Sequence, residues 1–265
     1  MIPNASIHAA RLPALSLAGI LTFCASAAAL ERDVPYVPTP PPVVEKMLDM
    51  TEVKAGEFVI DLGSGDGRIA IAAAQRGATA LGVDIDPDLV KEATENAEKA
   101  GVGDKASFKE ANLFDTDISE AHVITMYLLP SVNLELRPRL LELKPGTRLV
   151  SHAFTMGDWQ PDEEAEIDGR RVYFWRVPAK VDGAWAFEHD GQTINVTLEQ
   201  KYQAISGTAA VGGAEQPVEG KVEGEVVRIA FGSGDARREF TGRVNGTALE
   251  PVRGEGASGW TARRG

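Results

Sequence analysis

Between about residues 57 and 178, short apolar runs alternate with segments in which apolar residues recur at helical spacing. The first run, 58–62, precedes a helical pattern at 69–75. The second run, 80–84, precedes a helix that Asp86 caps and Pro87 opens. This alternation predicts βαβ units and a parallel sheet with helices on both faces. The other predicted elements are strands at 106–109, 122–127, 148–153 and 171–177 and a helix at 132–143.

Beyond Trp185 the pattern changes to short alternating apolar and polar segments that glycines interrupt. Alternation of this kind is typical of antiparallel strands with one buried face. We therefore predict an α/β domain over 57–182 and a small antiparallel β domain over 183–265. The strands expected in the second domain are 193–200, 226–231 and 239–244.

The first thirty residues differ from the rest of the chain. Arg11 precedes an apolar run at 12–23, and small residues follow at 25–29. This order predicts that residues 1–29 are a secretory signal peptide, cleaved after Ala27 or Ala29, and that the body of the protein is exported to a periplasmic or extracytoplasmic location. The alternative is an uncleaved membrane anchor that leaves the folded domains in the cytoplasm.

Residues 30–56 connect this segment to the α/β domain. Prolines are dense between 34 and 42 and favour an extended backbone. Four apolar residues then recur at helical spacing, so we predict a short helix that docks onto the domain. These residues are Val43, Val44, Met47 and Leu48.

Charge narrows the range of partners. The chain has 39 acidic and 27 basic residues, a net charge of -12. Such a surface repels a phosphate backbone, which argues against a nucleic-acid substrate and favours a cationic target such as a lysine-bearing protein. Cys24 is the single cysteine and lies in the predicted signal, so cleavage would leave no disulfide, cysteine metal ligand or cysteine nucleophile.

A glycine-rich loop follows the first predicted strand, with the sequence Asp61-Leu62-Gly63-Ser64-Gly65-Asp66-Gly67. Glycines at a strand-to-helix turn let the backbone approach a ligand where no β-carbon would fit. Asp84 ends the next strand, where a carboxylate can bind ribose hydroxyls. A dinucleotide-binding loop would need glycine at Arg68, and a phosphate-binding loop would need a Gly-Lys-Ser/Thr ending. The sequence therefore argues against both a dinucleotide-binding and a phosphate-binding loop.

The remaining pattern resembles motif I of class I S-adenosylmethionine (SAM)-dependent methyltransferases. Within that superfamily the chain is similar to bacterial relatives of the mitochondrial protein-lysine methyltransferases that modify the adenine nucleotide translocase and the c subunit of ATP synthase. The resemblance covers about residues 34–180 and implies a Rossmann-like sheet. It rests on motif I and on the segments Tyr36-Val37-Pro38-Thr39-Pro40, Leu128-Leu129-Pro130, Leu143-Lys144-Pro145-Gly146-Thr147 and Ser151-His152-Ala153-Phe154.

The resemblance implies a SAM site in which Tyr36 and Thr39 close the pocket and Asn112 accepts the adenine amino group, where many relatives have aspartate. At Ala153 relatives often have an acidic residue. No metal site is predicted, because the acidic run at 162–166 lacks ligand spacing. The predicted cofactor-binding residues are Tyr36, Thr39, Asp61, Gly63, Ser64, Gly65, Gly67, Asp84, Ile85, Asn112 and Leu113, and the residues predicted to orient the methyl acceptor are Tyr127, Asn133 and His152.

The predicted function is SAM-dependent methyl transfer to a neutral amine, with a protein lysine as the acceptor. Two alternatives stay open, a non-enzymatic SAM or nucleoside binder and a cell-envelope interaction protein that uses the same fold. His152 and Tyr127 can equally be structural residues of the strand ends. We expect the three tryptophans near the domain junction to pack in the core rather than to form a stacking surface. They are Trp159, Trp175 and Trp185.

Overall fold

The computed structural model describes residues 36–252 and 259–265. The predicted signal peptide lies outside the described residues. None of the helices in the described ranges is both long enough and apolar enough to cross a membrane.

The chain forms four α-helices and fifteen strands over these described ranges, with one short 3₁₀ turn at Gly234–Ala236. The helices are α1 (Pro41–Met50), α2 (Arg68–Gln75), α3 (Pro87–Lys99) and α4 (Pro130–Leu140). The strands of the first domain are β1 (Phe58–Leu62), β2 (Thr79–Asp84), β3 (Ala106–Glu110), β4 (Val123–Met126), β5 (Arg148–His152), β6 (Glu163–Ile167) and β7 (Arg170–Arg176). Those of the second are β8 (Gly183–His189), β9 (Gln192–Lys201), β10 (Ala204–Val211), β11 (Ala214–Glu223), β12 (Val226–Phe231), β13 (Arg238–Asn245), β14 (Ala248–Pro251) and β15 (Trp260–Arg264).

The first domain contains a seven-stranded sheet in the order β3-β2-β1-β4-β5-β7-β6. The five strands from β3 to β5 pair in parallel, whereas β7 pairs antiparallel with both β5 and β6. The strand order reverses beside β1, and in open α/β sheets ligands bind at the carboxyl ends of the strands at such a point. The Rossmann-like α/β sheet predicted from the sequence is confirmed.

The helices begin as the sequence indicates. Asp86 caps α3 by accepting a hydrogen bond from the Asp88 N–H at 3.0 Å, and Pro87 is the first helical residue. The docking helix is also confirmed: α1 buries all four of its predicted apolar residues in one core cluster with residues of α2 and of the sheet.

Two elements differ from the prediction. Helix α4 begins at Pro130 rather than at 132, because a proline at the first helical position needs no hydrogen-bond acceptor for its nitrogen. Strand β6, which overlaps the acidic run at 162–166, is not predicted from the sequence; it pairs only with β7 and lies at the sheet edge with its glutamates exposed. Edge strands expose most side chains, so their sequences lack the apolar signal of a buried strand. No group of three or more potential ligands in the described ranges could hold a metal ion.

The second domain is a closed antiparallel barrel in the order β10-β11-β12-β13-β14-β15-β8-β9. The antiparallel prediction is confirmed, and closure by pairing of β15 with β8 goes beyond it. Large apolar side chains fill the interior, among them Trp185, Phe187, Phe240 and Trp260. Trp159 and Trp175 lie in the core of the first domain, so the core-packing interpretation of the three tryptophans is confirmed.

Candidate active site

A cavity opens at the carboxyl ends of β1, β2 and β4. Its walls come from five segments that are far apart in sequence, so the fold alone brings them together. They are the extended segment 36–39, the glycine loop and the start of α2, the end of β2 with the start of α3, the segment after β3 at 111–113, and the segment after β4 at 127–128.

The glycine loop is the floor of this cavity. Gly63, Gly65 and Gly67 have φ values of 73°, 53° and 83°, the left-handed region that other residues rarely adopt. A β-carbon on Gly65 would lie 2.8 Å from Cδ2 of Tyr36, so the tyrosine ring packs directly on this glycine. A β-carbon on Gly67 would instead meet Phe108 at 2.6 Å. Gly67 packs the turn and does not line the cavity, so its role in cofactor binding stays a prediction.

Asp84 ties the loop to the next strand. One carboxylate oxygen accepts a hydrogen bond from the Gly65 N–H at 2.8 Å, and the other accepts from the Asp86 N–H at 3.0 Å. Each oxygen has a second acceptor position. Asp84 lines the cavity beside Ile85, so it can bind hydroxyl groups of a ligand while it fixes the loop.

Asp61 lies below the cavity and does not line it. The side chain is buried at 1 % exposure, one oxygen accepts from the Thr125 hydroxyl at 2.6 Å, and the other oxygen has no partner. Burial, opposed by the hydrogen bond from Thr125 and reinforced by the negative charges of Asp84 and Asp66, raises the pKa of Asp61 to about 7. From beneath the loop Asp61 can influence a ligand through its charge, and its role in cofactor binding stays a prediction.

The segment 36–39, which we call the strap, crosses the cavity. Arg68 donates to the Thr39 carbonyl at 2.9 Å and pairs with Asp66 at 2.6 Å. Burial, followed by the nearby Asp66 carboxylate, raises the pKa of Tyr36. Tyr36 and Val37 remain about half exposed, at 44 % and 54 %. One ion pair on the glycine loop thus holds the strap in place.

On the other side of the cavity Tyr127 stacks against His152, with ring centroids 4.0 Å apart. His152 shares a hydrogen bond with Thr39 through Nδ1 at 3.2 Å and is buried at 2 % exposure. Burial, followed by the charge of Arg170, lowers the pKa of His152 to about 4, so the ring is neutral at neutral pH. Tyr127 and Thr39 line the cavity, whereas His152 lies behind them.

Asn133 is also buried behind the wall, and its role in orienting the acceptor stays a prediction. Its Nδ2 group donates to the carbonyls of Phe154 and Thr155 at 3.4 Å, while its Oδ1 atom has no partner. Between His152 and Phe154, Ala153 adopts φ 67°. Phe154 stacks on Tyr127 with centroids 6.3 Å apart. Asn133 therefore holds a strained turn whose aromatic residue backs the cavity wall.

The remaining predicted residues, Asn112 and Leu113, line the cavity after β3. The Asn112 Oδ1 atom already accepts from the Phe114 N–H at 2.9 Å, which leaves it one further acceptor position. Sequence reasoning missed Arg68, which served only to argue against a dinucleotide site. Other cavity-lining residues are not predicted as site residues, although several lie in the segments that carry the family resemblance: Val37, Pro38, Asp66, Ile69, Val83, Asp86, Leu89, Ala111 and Leu128.

Comparison with known proteins gives matches that share this domain. The ANTKMT methyltransferase domain profile matches residues 61–163. A protein-lysine N-methyltransferase of Saccharolobus islandicus (strain REY15A) is 49% identical over 138 residues, 51% of this chain and 86% of that protein. The adenine nucleotide translocase lysine N-methyltransferase of Mus musculus is 37% identical over 134 residues, 50% of this chain and 58% of that protein.

A solved structure of a methyltransferase is also similar to this chain. It is described as an RNA methyltransferase from Salinibacter ruber in complex with S-adenosyl-L-homocysteine, and it is 54% identical with a TM-score of 0.54. The similarity covers 55% of this chain and 96% of that chain. The glycine loop that begins at Asp61, and Asp84 at the end of β2, both lie within the matched residues 61–163. The chain therefore belongs to the class I SAM-dependent methyltransferases, in the family defined by the ANTKMT methyltransferase domain.

Proposed function

We propose that this protein transfers the methyl group of SAM to a lysine amine of a protein. The observation that carries the proposal is the cavity itself, in which a glycine floor, a strap and a buried unpartnered hydroxyl meet. The Ser64 Oγ atom is buried without a partner at the cavity wall, as expected of a group that a polar ligand completes. A β-carbon on Gly65 would fill the cradle under Tyr36.

These residues fit SAM. Asp84 would hold the ribose hydroxyls, Ser64 and the glycine loop the methionine part, and Asn112 with Leu113 and Ile85 the adenine. Tyr36 and Thr39 would cover the bound molecule as part of the strap. When bound, SAM supplies an electrophilic methyl group on a positively charged sulfur.

The chain's own residues then align the acceptor and exclude water. Tyr127 lines the cavity and can receive a hydrogen bond from the amine or donate one to it. His152 is neutral and fixes Thr39 and Tyr127 from behind, so it acts as a positioning residue in this proposal. The amine attacks as its neutral form, and its proton is passed to water.

Charge supports a cationic acceptor. The carboxylates of Asp66, Asp84 and Asp86 line the cavity, and the whole chain carries a net charge of -12. A field of this sign attracts lysine and repels RNA. The Saccharolobus relative is described as a protein-lysine methyltransferase, whereas the Salinibacter protein is described as an RNA methyltransferase, so the acceptor class must be tested directly.

The test offers isotopically labelled SAM with a protein extract and, separately, with total RNA from the same cells. Label in lysine residues of a protein, with activity rising between about pH 7 and 9 because an unperturbed lysine titrates near 10.4, supports the proposal. Label in RNA alone would overturn it. SAM binding without transfer to either acceptor would favour the non-enzymatic binder, and no binding would favour the envelope interaction protein.

For location, we propose export of the folded domains after removal of residues 1–29. The arginine before the apolar run and the small residues after it support this proposal. Mass spectrometry of the amino terminus in separated cell fractions tests it. A mature terminus at Ala28 or Leu30 in an extracytoplasmic fraction is expected, whereas an intact terminus in the membrane fraction would indicate an anchored protein.

A further inference from the structure

The barrel contacts the first domain at more than one place: Gly224 lies against Gly146, and a longer segment of the first domain meets the turn between β9 and β10. Residues 156–162, which we call the connector, run from the turn that carries His152 and Phe154 to the start of β6. The turn between β9 and β10 (residues 201–203) lies against this connector. Because the methyltransferase profile ends at residue 163, the barrel lies beyond the matched region and its role must be read from such contacts.

Barrel side chains hold every second residue of the connector. Asp158 accepts from the Tyr202 hydroxyl at 2.9 Å, and its other oxygen lies 3.1 Å from the Lys201 amine. The Gln160 carbonyl accepts from the side-chain amide of Gln203 at 2.7 Å. Further along, Lys221 on β11 pairs with Asp162 at 3.3 Å.

An aromatic contact joins the two domains at the centre of this row. The Tyr202 ring stacks on Trp159 with centroids 5.9 Å apart and an interplanar angle of 19°. Trp159 is fully buried, and Tyr202 packs against the core cluster of the first domain. Tyr202 has φ 56°, so the turn adopts a strained conformation that directs this residue onto the connector.

Helix α4 contacts the same segment, beside Tyr202. Arg137 donates to the Met156 carbonyl at 2.9 Å and to Asp158 at 2.6 Å, and its guanidinium lies 5.6 Å from the centre of the Tyr202 ring. Four residues earlier, Asn133 donates to the carbonyls after His152, in the turn that backs Tyr127. The connector is thus held by the barrel turn and by the helix that supports the cavity wall.

We infer that the β9–β10 turn of the barrel is a positioning element for the methyl-acceptor side of the active site, with Tyr202 as its principal residue. Tyr202 fixes the connector and, through it, the turn that sets Phe154 and His152 against Tyr127. This inference rests on the proposed function. It predicts that the barrel affects acceptor alignment while SAM binding, whose residues all lie at or before 128, is spared.

The test compares four full-length proteins: wild type, Tyr202→Ala, Tyr202→Phe and Arg237→Ala. Tyr202→Ala removes both the stack and the hydrogen bond, whereas Tyr202→Phe keeps the ring. Arg237→Ala is the matched control, because it breaks ion pairs with Glu219 and Glu239 on the barrel surface away from the connector. Hydrogen exchange of peptides spanning 150–162 is measured beside SAM affinity and the kinetic constants for the acceptor.

Loss of one aromatic contact and one hydrogen bond should speed exchange in the connector by about tenfold in Tyr202→Ala and by about threefold in Tyr202→Phe. We expect kcat to fall or KM for the acceptor to rise by a similar factor, with SAM affinity within about twofold of wild type and Arg237→Ala unchanged. Unchanged exchange and kinetics in both tyrosine variants would overturn the inference, as would equal loss of SAM affinity. If Tyr202→Ala does not fold, Tyr202→Phe combined with Gln203→Ala gives the same reading.

The two proposals fail in different ways. A wild-type protein that binds no SAM or methylates no lysine would refute the proposed function, yet the exchange experiment would still report whether Tyr202 fixes the connector. Active wild-type protein with an unaltered connector in both tyrosine variants would refute only the positioning role.

Discussion

The contact between Tyr36 and Gly65 gives a prediction that a double-mutant cycle can measure. A β-carbon on Gly65 would overlap the Tyr36 ring, so Gly65→Ala must displace the strap. Displacement removes the packing of the Tyr36 ring on the loop and its interaction with the Asp66 carboxylate, together about 1 kcal/mol of SAM binding. An alanine at φ 53° is strained by about 1–2 kcal/mol. The free loop can relax away from this conformation, so binding of SAM, which needs the conformation, then costs this energy.

We therefore expect Gly65→Ala to weaken SAM binding by about 2–3 kcal/mol, roughly 30- to 150-fold. Tyr36→Ala alone should weaken it about fivefold, but should have almost no further effect in the Gly65→Ala background, where the strap is already displaced. The backbone strain cancels in this comparison because both Gly65→Ala proteins contain it. Calorimetric titration of the four proteins with SAM measures the cycle. Additive effects of the two substitutions would refute the direct contact.

Three further predictions concern charge. Asp84→Ala should weaken SAM binding by about 1.5–3 kcal/mol, since the loop loses its tie to β2 and the ribose loses its acceptor, and a calorimetric affinity within twofold of wild type would contradict this assignment. The pKa of Asp61 is about 7 without the cofactor, so binding of the cationic cofactor should release a proton from Asp61. At pH 6.5 the binding enthalpy should therefore depend on the ionisation enthalpy of the buffer. Asp61→Asn should abolish this dependence. The pKa of His152 is about 4 in the folded protein, whereas the side chain titrates near 6.5 in the unfolded chain. This lowered pKa contributes about 3 kcal/mol to the unfolding free energy above pH 6.5, and the contribution is lost as the pH falls towards 4. In denaturant titrations the unfolding free energy of His152→Gln should fall less steeply at acidic pH than that of the wild type. His152→Ala should lower turnover while sparing SAM affinity.

The sequence predicts most of the sheet because the apolar runs of β1, β2, β4 and β5 are buried on both faces and therefore continuous. It also predicts which loops meet, since the carboxyl ends of parallel strands share one edge. It misses β6, whose alternating acidic residues face solvent at the sheet edge. It also overestimates the exposure of His152, because the residues that cover it, Thr39 and Tyr127, reach it only in the folded chain.

The contacts that hold the strap also cannot be predicted from local sequence. Tyr36 and Thr39 are predicted from their resemblance to a family motif, but Arg68 is not, because its bond to the Thr39 carbonyl spans 29 positions. The barrel is a further case. Three of its strands are visible as alternating patterns, whereas closure depends on the register between Trp260 and His189, which no local pattern encodes.

The pairing of β15 with β8 has a consequence for the history of the chain. Since the first and last strands of the barrel are neighbours, its two ends meet at one point, where Arg264 donates to the Lys180 carbonyl at 2.7 Å. A module that enters and leaves at one place can be joined to another domain, or lost from it, without breaking a strand of either. A single fusion after β7 would therefore suffice to join this barrel to the methyltransferase domain.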